Sequence, residues 1–364
     1  MFAKKNLVAA AALLALVGAA QAQSSVKLYG YLEADFGSYK SAGGGKSTTK
    51  VQSGDMMTSF IGFSGVEDLG GGLKAEFMLE SFVGGDTGAN VPNQVGQFWS
   101  RASWVGLSGG FGKVILGQYD NALFTSGLLY NPFGSSMTFS PTMRHFYDLG
   151  STTVSSPGTY ALSQGDTGWA NSITYETPVI AGFAASLQFL AKEPKATDTG
   201  TSNSYTASVS YNNGPFSAMA VYVDGGKSGT VATTSSNVDL LPVFKNFRAA
   251  NFGASYDFGV VKAFGQYTQF KYYANGLFNA DVDKAKVWQL GVSIPVTAAG
   301  SVLASYGQSK YQVVNDDDYS SKILSLGYDH ALSKRTSVFA AYTNEKITDE
   351  KSGRAIAVGV KHSF

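Results

Sequence analysis

Cysteine is absent from the 364 residues, so no disulfide staples the chain and no thiolate metal site exists. Histidine is nearly absent. The three present, His145, His330 and His362, are too scattered for a metal centre, and none lies beside the nucleophile motif a hydrolase needs. After residue 22 no apolar run approaches the roughly 18 to 20 residues of a membrane-spanning helix, which excludes a helical membrane protein. Excess charge is missing too: 27 basic residues stand against 26 acidic ones, leaving no basic footprint for nucleic acid. No cofactor motif is present. The glycine clusters "GGGLK" and "SGGFG" fall between strand patterns rather than before helices, so they are not phosphate loops.

The N-terminus reads as an address. "MFAKKN" carries two lysines, "LVAAAALLALVGAA" is a short apolar run, and "AQA" is a small-residue cleavage site, the pattern of a secretory signal peptide spanning residues 1–22. The mature chain, residues 23–364, is then expected to form one domain. Export without cysteine leaves a large core or a membrane to supply stability. Among the 364 residues, 43 glycines, 20 tyrosines and 24 phenylalanines against 9 prolines suit many strands and tight turns.

Strand-like segments of about nine to thirteen residues recur about sixteen times. They lie near 26–39, 51–66, 71–83, 96–108, 111–119, 168–177, 181–192, 203–212, 215–224, 246–257, 259–271, 283–294, 299–309, 319–329, 334–344 and 354–364. Short turns such as "DLGGG", "NNGP" and "DFG" alternate with long polar connections near 40–50, 84–95, 120–167, 193–202, 225–245, 272–282, 310–318 and 345–353. That asymmetry belongs to an up-and-down barrel crossing an outer membrane; a soluble barrel or sandwich with one wet face explains single strands but not the rhythm. In "LKAEFMLE" Leu73, Ala75, Phe77 and Leu79 make one face, and Lys74, Glu76, Met78 and Glu80 the other. In "VKLYGYLEADF" Val26, Leu28, Leu32, Ala34 and Phe36 oppose Lys27, Tyr29, Tyr31, Glu33 and Asp35. Charges are expected inside and aliphatics outside. "VVKAFGQYTQF" carries aromatics on both faces, leaving Tyr267 and Phe270 as alternatives for an interfacial girdle. The final "RAIAVGVKHSF" alternates to its last residue, so it must be paired, and pairing with the first strand closes the ring without an edge.

The blocks "IGFSGVEDLGGGLKAEFMLE" and "RASWVGLSGGFGKVILGQYDN", with "VKLYGYLEADF", "NSITYETPVIAGFAASLQF" and "VGVKHSF" in the same order, resemble the general diffusion porins of Gram-negative bacteria, in particular the beta-proteobacterial and neisserial group. The resemblance covers the mature chain. It implies an all-β, sixteen-stranded antiparallel transmembrane barrel in the outer membrane, usually a homotrimer among outer-membrane lipid and lipopolysaccharide, with the long third loop folded into the lumen. It further implies passive diffusion of ions and small hydrophilic solutes, and a C-terminal aromatic, Phe364, read by the barrel assembly machinery. Independently, the segment 120–167 far exceeds the roughly 12 to 15 residues beyond which loops are usually functional or disordered. Its "YNPFG" and "SPTMRHFYDLG" favour an ordered, pore-narrowing segment.

The chemistry expected of such a protein is electrostatic filtering, with no bond broken. Arg101, in "SRASWVGL", matches the family's basic wall residue. Two positions depart: Ser59-Phe60 stands where relatives read Ser-Arg or Ser-Lys, and Gly117-Gln118 where many read "LGR". With Glu33, Asp35, Glu76 and Glu80 facing Lys27 and Lys74, weak or mildly cation-leaning selectivity is expected. Arg101 has a second reading, as the partner of Glu76 or Glu80 in a ladder of ion pairs. Asp120, Arg144 and Asp148 are pore-lining candidates, with the alternative that Arg144, His145 or Asp148 pins the loop. Phe60 and Trp99 are candidates for an aromatic slide for sugars or for plain packing. Glu67-Asp68 is expected to cap a turn, and "NDDD" at 315–318 to be a solvated loop rather than a calcium site. A substrate-specific channel, or an outer-membrane enzyme or adhesin barrel, are the competing functions.

Overall fold

The computed structural model describes residues 25–89, 98–147, 168–191, 203–226, 246–273, 282–313 and 317–364. Strands dominate. In chain order they are β1 (Ser25–Lys40), β2 (Thr48–Gln52), β3 (Phe60–Gly70), β4 (Leu73–Phe82), β5 (Ala102–Gly109), β6 (Gly112–Asp120), β7 (Gly168–Glu176), β8 (Phe183–Leu190) and β9 (Ser204–Asn213). There follow β10 (Phe216–Asp224), β11 (Asn246–Asp257), β12 (Lys262–Tyr273), β13 (Val282–Pro295), β14 (Gly300–Val313), β15 (Tyr319–Ala331), β16 (Thr336–Ile347) and β17 (Gly353–Ser363). Two short helices, Ala122–Leu129 and Pro141–Tyr147, lie between β6 and β7.

Each strand pairs antiparallel with its neighbours, and the ring closes where β1 meets β17, from Tyr31 opposite Ser363 to Lys40 opposite Arg354. Beyond that ladder the amide of Phe364 donates to the carbonyl of Gly30 at 3.1 Å, and the amide of Gly30 to the carbonyl of Phe364 at 3.2 Å. The last residue is thus tied on both backbone groups. The sixteen expected segments all appear, with one difference: the second is split. β3 pairs with β1 at residues 25–31 and β2 pairs with it at 35–39, so β2 and β3 are two pieces of one barrel strand and the barrel has sixteen. The interruption, residues 53–59, breaks the alternation because Met56 and Met57 donate their amides, both at 2.9 Å, to the Glu33 carboxylate instead of to a ladder partner.

Sidedness follows the pleat. Val26, Leu28, Leu32 and Phe36 are exposed on one face of β1 while Glu33 and Asp35 are buried on the other. On β17 Ile356, Val358, Val360 and Phe364 are exposed and Ala355 and Ala357 buried. β12 resolves in the same way: Tyr267 is exposed with the apolar set, and Phe270 is buried on the polar face, so Phe270 is no girdle residue. The polar face is laced by neutral hydrogen bonds between adjacent strands, such as Asn251 to Thr268 at 2.7 Å, Gln289 to Ser305 at 3.0 Å and Ser325 to Thr343 at 2.9 Å. Exposed apolar residues on the other face match a lipid-facing wall. The turn at Gly70–Gly72 has φ of +86°, +62° and +82°, a run that only glycine adopts without strain.

Candidate functional site

The polar face carries a ladder of ion pairs. The Arg101 guanidinium, at the head of β5, pairs with Glu80 of β4 and lies 4.3 Å above the Phe60 ring. Glu80, only 3 % exposed, also accepts from the Tyr29 hydroxyl at 2.6 Å. Phe60 therefore serves as a platform for the Arg101 cation. One step along, Lys113 of β6 lies 2.8 Å from Glu76 and 4.3 Å above the Trp104 ring, and the Ser108 hydroxyl donates to the same Glu76. Tyr119 donates to Glu176 at 2.8 Å. Lys74 shares this face but stands exposed next to the Gly71-Gly72 turn, opposite Asp68. Asp68 accepts from the amide of Gly70 at 2.8 Å. Asp120 is half-buried at the end of β6, beside the helix cap Asn121.

A second cluster is almost purely acidic. Glu33 is 1 % and Asp35 3 % exposed, so neither faces open water as the alternation alone suggested. The Tyr39 hydroxyl lies 2.5 Å from Asp35 and 2.6 Å from Asp55. Asp55 also accepts from Gln52 and, at 2.8 Å, from the Thr138 hydroxyl. Asp55 went unnoticed in the sequence. Its signal was there in "SGDMMTS", a stretch without alternation inside an otherwise regular strand.

Residues 121–147 lie against the polar face of β10–β16. Asn121 caps the first helix by accepting from the amides of Leu123 and Phe124 at 2.8 and 3.3 Å, which compensates for orphan helix donors. Helix Ala122–Leu129 then docks through Ser126 on Asn251 at 2.5 Å, and Gln266 donates to the carbonyl of Gly127 at 3.1 Å. Asn131 shapes the turn that follows, donating to the carbonyls of Gly127 and Gly134 at 2.6 and 2.8 Å. Ser136 donates to the Asp55 carbonyl at 2.5 Å. On the second helix Thr142 reaches Gln289 at 3.2 Å, and Arg144 pairs with Glu345 at 2.5 Å. Apolar anchors accompany these bonds: Phe146 meets Phe270 edge-on at 5.5 Å, and Phe139 meets Phe339 at 6.5 Å. The wall makes room for the segment with glycine. A Cβ on Gly253 would stand 2.4 Å from the Tyr130 ring, and one on Gly291 2.6 Å from Pro132. Between helix and wall, next to the short turns, a cavity of about 770 Å³ is lined by Leu129, Tyr130, Ser210, Phe216, Ser255 and Lys262 among others.

The remaining candidates separate. Trp99 packs on Phe98 at 4.8 Å and on Phe63 of the apolar face at 6.1 Å, so it forms no track with the buried Phe60. Asp148 lies outside the described residues, as do residues 315 and 316 of the acidic run. Asp318 accepts from the amide of Val313 at 3.2 Å. His145 is buried on the second helix, His330 meets the Tyr328 hydroxyl at 3.0 Å, and His362 meets Thr336 at 2.9 Å. Among the described residues no group of three or more His, Cys, Asp or Glu is placed to hold a metal ion.

A sequence model of Gram-negative porins matches residues 9–350. Outer membrane porin protein 32 of Delftia acidovorans is 33 % identical over 392 aligned residues, covering 99 % of this chain and 100 % of that one. Major outer membrane protein P.IB of Neisseria meningitidis serogroup B is 28 % identical, again over 99 % and 100 %. Among solved structures, an anion-selective porin from Comamonas acidovorans superposes with a TM-score of 0.76 at 28 % identity, covering 94 % of this chain and 100 % of that one. A closed sixteen-stranded barrel, a charged polar face and similarity running the length of the chain together place this protein in the family of Gram-negative porins.

Proposed function

We propose that the polar face lines a water path which residues 121–147 narrow, giving a general pore of weak ion selectivity. The protein is an outer-membrane porin, a channel for passive diffusion of ions and small hydrophilic solutes. The observation that carries the finer reading is the docking of both short helices on β11, β13 and β16 by Ser126–Asn251, Thr142–Gln289 and Arg144–Glu345. A segment held at three points along a barrel wall keeps a fixed aperture. Weak selectivity follows from how the charges are used. The cation lean expected from Glu33, Asp35, Glu76 and Glu80 required them to face water. Glu33, Asp35 and Glu80 are buried, and Glu76 is matched to Lys113 as Glu80 is to Arg101. The anion preference of the Comamonas porin does not carry over, because the wall cations Arg101 and Lys113 are each matched to a carboxylate, Glu80 and Glu76.

The same reading makes residues 1–22 an export signal, Phe364 a label for the barrel assembly machinery, the working form a homotrimer and the surroundings a lipopolysaccharide-bearing membrane. Recording from refolded protein in a planar bilayer under a salt gradient tests it. Stepwise openings in groups of three with a reversal potential near zero are expected. A strongly anion- or cation-selective potential would overturn the charge argument, a saturable block by one sugar or organic anion would make the channel substrate-specific, and a silent bilayer would refute an open pore.

A further inference from the structure

Four of the short turns carry side chains that a water-facing turn does not need. Gly, Pro, Asn, Asp and Ser are the usual turn residues, yet large apolar side chains stand at these tips: Val179 and Ile180 between β7 and β8, Phe258 and Val260 between β11 and β12, Val296 between β13 and β14, and Leu332 between β15 and β16. Val260 at 76 %, Val179 at 72 % and Ile180 at 69 % are the most exposed large hydrophobic residues of the described chain. The tips are fixed by their backbones. Ile180 and Phe183 exchange hydrogen bonds at 2.9 Å around Ala181 and Gly182, whose φ of +50° and +86° close a two-residue turn. The amide of Phe258 donates to the carbonyl of Val261 at 2.9 Å, and that of Leu332 to the carbonyl of Thr336 at 2.8 Å.

These tips continue the apolar wall. Phe258 lies against Tyr256 at 4.5 Å, and Phe183, which ends the Ile180 turn, against Tyr211 at 4.5 Å. Height supplies a second argument. Toward the long connections, Trp288 and Tyr306 touch at 5.5 Å and share the outward face with Tyr267 and Tyr342; such aromatics mark a membrane–water interface. Val296 follows Trp288 by eight positions, and Leu332 follows Leu324, which stands opposite Tyr306, by eight. At about 3.4 Å per residue and a strand tilt of roughly 35–45°, eight positions rise roughly 19–22 Å, which is less than the ~25 Å apolar band of an outer-membrane barrel. The turn tips therefore fall inside that band. No length is left to lift them into periplasmic water.

We infer that these turn tips are wedges seated among the inner-leaflet phospholipids, at the boundary of headgroup and acyl chain, so that the lipid-facing belt of the barrel ends on its turns. The inference rests on the outer-membrane placement above and gives the short turns a partner, a phospholipid surface. The chain has no cysteine, so single cysteines carry the test. Full-length I180C, V260C and L332C, with K74C at the exposed Lys74 of the polar face as the water-facing reference, are labelled with nitrobenzoxadiazole and refolded. They are then placed in nanodiscs of phosphatidylethanolamine and phosphatidylglycerol, which leave both faces open to solutes. Emission from the three tip variants is expected to lie to the blue of K74C and to be quenched by lipid carrying a nitroxide high on its acyl chain but not by iodide; K74C is expected to show the reverse. Iodide quenching equal to that of K74C would put the tips in water and overturn the wedges. Protection from both quenchers would overturn them equally, because protein rather than lipid would then cover the tips. The pore reading fails separately, by a wild-type protein silent in a planar bilayer whatever the fluorescence shows.

Discussion

The junction at Asp55 makes the sharpest demand on the structure, because one phenolic proton, that of Tyr39, serves two carboxylates at 2.5 and 2.6 Å. Two unit charges about 5 Å apart repel by ~3 kcal/mol at an effective dielectric of about 20, an upper bound if both are ionised. The same Asp55 holds residues 136–138 through Thr138 and Ser136, so the site is both repulsive and a tether. Two substitutions separate these roles. D55N keeps an acceptor for Thr138 and Gln52 and removes the charge, and it is expected to raise stability by about 1–2 kcal/mol. D55A removes the charge and also the three side-chain acceptor contacts, so it should fall below D55N by about 3 kcal/mol, at roughly 1 kcal/mol for each lost hydrogen bond. Urea unfolding in phospholipid vesicles, followed by tryptophan fluorescence, reads both differences. D55A should also show noisier open-channel current, because the tip of the segment loses its side-chain tether while D55N keeps it. A D55N protein less stable than wild type would refute the reasoning, since the charge at Asp55 would then be stabilising.

Other expectations follow from single contacts. Gly253→Val drives a side chain into the Tyr130 ring and should destabilise by about 1–3 kcal/mol with altered single-channel conductance, whereas Gly265→Ala, whose Cβ would lie 3.3 Å from the flexible Leu290 side chain, should leave conductance unchanged; identical conductance for G253V would mean the segment does not set the aperture. Arg144→Ala leaves the buried Glu345 with Ser321, 2.9 Å away, as its partner, and should cost about 3 kcal/mol in the same urea assay; no change would mean the pair is idle. Phe364→Ser keeps the backbone pairing with Gly30 but removes the aromatic ring, and fractionation of cells should find the protein unassembled in the periplasm; normal outer-membrane yield would refute a sorting role.

Much of the fold was legible because a barrel strand is the simplest sequence pattern to read. Period-2 alternation identified which side chains share a face, and turn length identified which end of the barrel each connection occupies. β1, β4 and β17 needed nothing more. The split between β2 and β3 was not legible, because it depends on where the Glu33 carboxylate sits: an acid placed across from "GDMM" draws two amides out of the ladder, and nothing in a single strand announces its neighbour's register.

The site was legible in kind and not in detail, for a related reason. Alternation says that Glu33, Asp35, Glu76 and Glu80 turn away from the apolar face, but it does not say what else occupies that side. Three of the acids met partners from other stretches of chain, Glu33 the amides after Asp55, Glu76 Lys113, and Glu80 both Arg101 and Tyr29, while Asp35 met the Tyr39 hydroxyl of its own strand. A charge counted from sequence as free to filter ions is, in three dimensions, already spent on holding neighbouring strands or the long segment in place.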